Sequence, residues 1–214
     1  SNMPAWEDGA VSHVQSLGAP QSIYDPFNDG DGSDPTARSL WAAWEHPAGE
    51  DAIYLSWHSN AANGAARGTV TYHAGSECSI PAVAGSAQLS TVVQQELATR
   101  FREAWEPDWF DRGVRTSCFA EVNPNRNPEM PSTLVELAFH DNAQDAARLK
   151  DPRFRRDASR AMARGVIRYF AERDGRAAMF APEPPVSVAL VHDAGGRLAR
   201  RAARSAAPRR ATAC

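Results

Sequence analysis

The chain has no apolar run near the roughly 18 residues needed to cross a bilayer as a helix, and no basic-then-apolar leader opens it. A membrane-spanning helix is therefore not expected. Closely spaced cysteines are also missing: Cys78, Cys118 and Cys214 stand too far apart for a thiolate zinc knuckle. Cys78 and Cys118 are either a disulfide, as in an exported protein, or two buried thiols. Basic charge is scarce as well. The formal net charge is -3, and six arginines after Gly195 mask a body with 17 basic and 26 acidic residues. Such a body repels phosphate backbones, so nucleic acid is not an expected partner. No internal repeat is present.

What remains is 214 residues with 43% apolar content, enough for one substantial core plus extensions. Residues 9–17 read as a short helix stopped by Gly18, and Ile23-Tyr24 as a brief strand. The acidic, glycine-rich stretch from Asp25 to Asp34 reads as a mobile surface loop at the rim of any cleft nearby. Asp34 and Pro35 then start a helix that carries Leu40, Trp41 and Trp44 at helical spacing. Strands are expected over 52–57, 68–73, 114–122 and 133–139, where β-branched and aromatic residues dominate. Helices are expected over 89–105 and 156–170. A proline- and asparagine-rich loop fills 123–131.

This alternation predicts an α/β fold: a single three-layer domain with a mixed, mostly parallel sheet flanked by helices. The expected domain covers 3–175. Residues 176–214 are expected to hold a linker, a lone strand over 186–191 and an Ala/Arg tail too poor in apolar residues to pack.

Two segments carry chemistry. Ser56-Trp57-His58-Ser59-Asn60 delivers a histidine where an apolar strand ends, the edge at which open α/β sheets build sites. Val135-Glu136-Leu137-Ala138-Phe139-His140-Asp141-Asn142 sets a carboxylate inside an apolar strand. A buried Glu needs a cationic or metal partner, or it is tuned for proton transfer.

Together these segments resemble the zinc-dependent N-acetylmuramoyl-L-alanine amidases, the cell-wall lytic amidase family. Ser56, His58 and Asn60 followed by Gly68 to His73 resemble the family's histidine strand, and Val135, Glu136, Phe139, Asn142, Asp145 and Leu149 its glutamate motif. The resemblance covers about residues 11–173. It implies His58 as a zinc ligand, Glu136 as the catalytic acid/base, and Asn60, Arg38 and Asn142 as substrate-binding residues; His140, four residues beyond Glu136 on the same loop, is expected in a secondary substrate-binding role. It further implies zinc as cofactor, peptidoglycan or muropeptides as substrate, a monomer, and a cell-envelope location, periplasmic or secreted.

The family's other two zinc ligands, a His in a Gly-His-Gly-Gly turn and a Glu in the next helix, belong to sequence expected before residue 11. Neither motif is present, so the domain is expected to be N-terminally incomplete. Glu7 and His13 do not have the required spacing, and His46, His73 and His192 read as solvated or structural. Residues 182–190 resemble the opening of a fibronectin type III module. The competing reading is an inactive cell-wall-binding module of the same fold. A related zinc carboxypeptidase or amidohydrolase would show a His-x-x-Glu pair, which is absent.

Overall fold

A computed structural model describes residues 9–182, 187–192 and 198–203. The chain divides into two compact units, 1–178 and 179–214. In the first, α1 (Ala10–Ser16) and α2 (Gln21–Tyr24) precede α3 (Asp34–Glu45) and β1 (Tyr54–Asn60). Then follow β2 (Thr69–His73), α4 (Ser86–Ala104), β3 (Asp111–Thr116), β4 (Ser132–Phe139), α5 (Ala143–Lys150) and α6 (Pro152–Arg173).

The four strands form one sheet in the order β1-β4-β2-β3. β1 and β4 run parallel, as do β2 and β3, while β2 and β4 are antiparallel. The sheet is therefore mixed and mostly parallel, with helices packed on it, as the alternating pattern implied.

β4 is the central apolar strand: Leu134, Val135, Leu137 and Ala138 are buried. α4 and α6 close the core over it, with Leu89, Val93, Leu97, Phe101, Phe154 and Ala161 between them. The Phe101 and Phe154 rings stack with centroids 4.4 Å apart. Burying each of the larger of these side chains, the Leu, Val and Phe residues, contributes about 2 kcal/mol. The two helices approach closely at Gly165, where an added Cβ would lie 2.7 Å from the Val93 Cα.

Several expectations are corrected. Ile23 and Tyr24 lie in a helical turn, because their amides donate to Pro20 O at 2.9 and 3.2 Å. The strand expected over 114–122 ends at Thr116; residues Ala120–Val122 form a 3-10 turn. The strand expected to stop at Trp57 runs on to Asn60, which places His58 within β1. The last helix starts at Pro152 rather than near Arg156, and α5 precedes it.

The loop after Asp25 is held locally, since its carboxylate accepts from the Asp29 and Gly30 amides and from Ser33 Oγ. In the second unit, β5 (Ser187–His192) pairs antiparallel with β6 (Leu198–Ala203), so the strand expected to stand alone has a partner in the arginine-rich segment. Glu7, residues 183–186 of the fibronectin-like stretch and the tail beyond Ala203 lie outside the described residues.

Candidate active site

Parallel pairing sets β1 against β4 with His58 opposite Glu136. Register partners on adjacent strands share a sheet face, so the two functional segments meet. On the same face of β1, Ser56 Oγ lies 2.8 Å from His58 Nε2. Tyr54 belongs to that row too, and burial pushes its hydroxyl up to about 12.

A third group arrives from outside both motifs. Glu121, only 4% exposed, stands on the 3-10 turn after β3 and places Oε1 3.0 Å from His58 Nε2. Arg38 Nη1 lies 3.4 Å from the same oxygen, and Arg38 also pairs with Asp34 on its own helix. The turn is fixed to α3 by a Ser39 Oγ bond to Ala120 O at 3.0 Å. It is tied from the other side by the Cys78–Cys118 disulfide, which decides between the two readings of those cysteines.

Glu136 is half-buried, and its Oε2 is buried with no hydrogen-bond partner among the described residues. Burial raises its carboxyl above the ordinary range and the nearby Glu121 adds to this, while His58 and His140 oppose it. Burial thus favours the protonated form over the carboxylate, which suits the group to exchanging a proton with a reacting group.

His58, Glu121 and Glu136 open onto one cavity of about 520 Å3, whose walls include Phe27, Phe119 and Arg126. Phe27 and Gly32 bring the Asp25–Asp34 loop to this wall.

The remaining sequence-expected site residues are placed otherwise. Arg38 sits behind Glu121 and does not line the cavity. Asn60 Oδ1 accepts from the Ala61 amide at 2.8 Å. Asn142 caps α5, accepting from the Gln144 and Asp145 amides and donating to Gly64 O at 2.9 Å. His140 is exposed, with Nδ1 3.1 Å from Ser59 Oγ. Of the discounted histidines, His13 is exposed, His46 Nε2 lies 3.0 Å from Glu50 O, and His73 Nδ1 lies 2.8 Å from Ala74 O.

Sequence reasoning missed Glu121 and Arg126. For Glu121 a signal existed: an acid among Phe119, Ala120 and Val122 calls for a partner as much as Glu136 does.

Residues 37–168 match the N-acetylmuramoyl-L-alanine amidase family. A Bacillus anthracis protein described as an uncharacterized cell wall amidase is 35% identical over 120 residues, 55% of this chain and 21% of that one. The N-acetylmuramoyl-L-alanine amidase LytC of Bacillus subtilis is 33% identical over 119 residues, again 55% of this chain and 21% of its own length. The matched stretch thus spans about a fifth of these curated relatives. Among solved structures, the Clostridioides difficile CwlD amidase, determined with the GerS lipoprotein, aligns over 78% of this chain and 84% of its own, with TM-score 0.53 and 16% identity. The Mycobacterium smegmatis amidase Ami1 aligns over 78% and 76%, with TM-score 0.51 and 20% identity. At these identities the two structures speak to the fold alone.

Proposed function

The chain belongs to the N-acetylmuramoyl-L-alanine amidase family, and on that premise we propose that it hydrolyses the amide bond between N-acetylmuramic acid and L-alanine in peptidoglycan. The observation that carries this reading is Glu136: a half-buried carboxyl, raised by burial, with a free buried oxygen beside His58 in an open cavity. In this role Glu136 takes a proton from the water that attacks the amide carbonyl, then returns it to the departing L-alanine amine. Ser56 and Glu121 orient His58, and Arg38 balances the Glu121 charge.

The resemblance also calls for zinc, with His58 as a ligand. A catalytic zinc site normally draws on three protein ligands. Among the described residues no group of three or more His, Cys, Asp or Glu is placed to hold a metal ion. His58 Nε2 is already engaged by Ser56 Oγ and Glu121 Oε1. Among the described residues the donor set does not fit zinc. A cell-envelope location, periplasmic or secreted, fits this substrate, and it is supported by the Cys78–Cys118 disulfide, a bond that persists in oxidising compartments.

The test is direct. The purified chain is incubated, with and without added zinc, with N-acetylmuramoyl-L-alanyl peptides, and mass spectrometry follows peptides carrying a new L-alanine amino terminus. Wild type releases them; Glu136→Gln keeps the side chain's shape and loses roughly two to four orders of magnitude in turnover. No release by wild type under either condition, or full activity in the variant, overturns the proposal.

A further inference from the structure

The cavity that holds His58, Glu121 and Glu136 contains one more charged group, a cation with no direct ion pair among the described residues. Glu121 is answered by His58 and Arg38. Arg126, from the proline- and asparagine-rich loop after the 3-10 turn, also lines the cavity. Its guanidinium carbon lies 5.8 Å over the Phe27 ring, and its side chain makes no hydrogen bond or ion pair to any described residue. Most arginines of the first unit behave differently: Arg38, Arg67, Arg100, Arg148, Arg164 and Arg168 are each paired with a carboxylate.

Arg126 is half-buried, and burial lowers its pKa from the ordinary arginine value; the Glu121 charge opposes this from a distance, but no protein carboxylate makes a direct ion pair with the guanidinium among the described residues. Glu121 offsets part of the desolvation cost from a distance, and an incoming anion in direct contact with this guanidinium at the cavity wall would offset more. A planar guanidinium backed by an aromatic face presents its N–H fork to one kind of group best, a carboxylate taken two oxygens at a time.

We infer that Arg126 is a specificity-determining residue that binds a carboxylate of the substrate peptide, on the L-alanine side of the scissile bond. The inference rests on the amidase reading for the identity of the substrate. Glu136 acts on the amide bond while Arg126, on another wall of the same cavity, holds the acidic side of the peptide. The fork and the carboxyl divide the work: one positions, the other transfers protons.

The experiment compares two probes, N-acetylmuramoyl-L-alanyl-D-glutamate and the same molecule with both glutamate carboxyls converted to carboxamides. Calorimetry measures the binding of each to the wild-type chain, Arg126→Gln and Arg126→Lys, and hydrolysis is followed in parallel. A charge-assisted bond at this site predicts that wild type binds the free acid about 10- to 100-fold more tightly than the diamide. Arg126→Gln abolishes that preference and Arg126→Lys keeps part of it, with the effect on hydrolysis in KM rather than kcat. Because Arg126 supports no ion pair, both variants should melt with wild type, which separates lost recognition from lost folding.

Equal binding of acid and diamide by wild type overturns the inference, as does a preference that survives in Arg126→Gln. Failure to bind either probe overturns it as well. Discrimination lost in Arg126→Gln without hydrolysis by any form upholds the carboxylate site and sinks the amidase reading instead.

Discussion

Glu136 and Asp145 are carboxylates from the same motif, on β4 and α5, and the protein treats them in opposite ways. Asp145 is fully buried and every approach to it is filled: it accepts from Gly68 N at 2.9 Å, Phe139 N at 3.0 Å and Arg67 Nε at 2.9 Å. Arg67 extends this hub to Glu106, which Arg148 also reaches. Glu136 is less buried, yet one of its oxygens has no partner and burial raises its pKa. A buried acid with all acceptors used holds backbone in place; one left incomplete is available for chemistry. Satisfaction, rather than burial, separates fold from function here.

The comparison can be broken at either end. Its largest expected effect is on turnover: Glu136→Gln should lose roughly two to four orders of magnitude while stability changes by no more than about 0.5 kcal/mol, read by urea unfolding. A variant that unfolds readily would mean that Glu136 is structural after all. Asp145→Ala should do the reverse and cost about 3 kcal/mol, because it strands Arg67 and two buried amides. Unchanged unfolding in that variant would remove the hub from the account.

Gly68→Ala probes the hub from its backbone side. Gly68 has φ +96°, and a Cβ there would lie 1.9 Å from Phe110 O. A loss of about 2 kcal/mol is expected from thermal unfolding. The smallest effect sharpens the active end: Glu121→Gln keeps a hydrogen bond to His58 while removing charge, so turnover should fall by about tenfold on the scale of a lost charge-assisted bond. An unaltered rate would show that His58 does not need Glu121.

Much of this was legible in the residues. The apolar run around Glu136 announced a central strand, and its meeting with the His58 strand followed from two runs ending in polar residues of like character. The helical spacing of Leu89, Val93, Leu97 and Phe101 foretold the helix that covers the sheet. Local hydrogen bonding hid the rest. Pro20 drew Ile23 and Tyr24 into a turn, and Asn142, marked by resemblance for substrate, spends its side chain capping α5.

Glu121 was hidden for a different reason. The strand holding it in the sequence reading stops when Ser117 N makes its bond to His73 O at 3.1 Å, and the chain then leaves the sheet toward Cys78. Only that departure turns Glu121 toward His58. Arg126 likewise reads as one more polar loop residue until Phe27, nearly a hundred positions earlier, is seen under it.

By itself the sequence determined the periodicities, and with them the strands, the long helices and the two motif residues that face each other across β1 and β4. Periodicity reports which side of an element is apolar, and that depends on neighbours a few positions away. The tertiary structure alone decided which acids and arginines are answered and which stay open. A hydrogen-bond partner is a matter of position in space: Asp145 finds its partners at Arg67 and Gly68, His58 finds Glu121, and Arg126 stands over the Phe27 ring with no direct ion pair among the described residues.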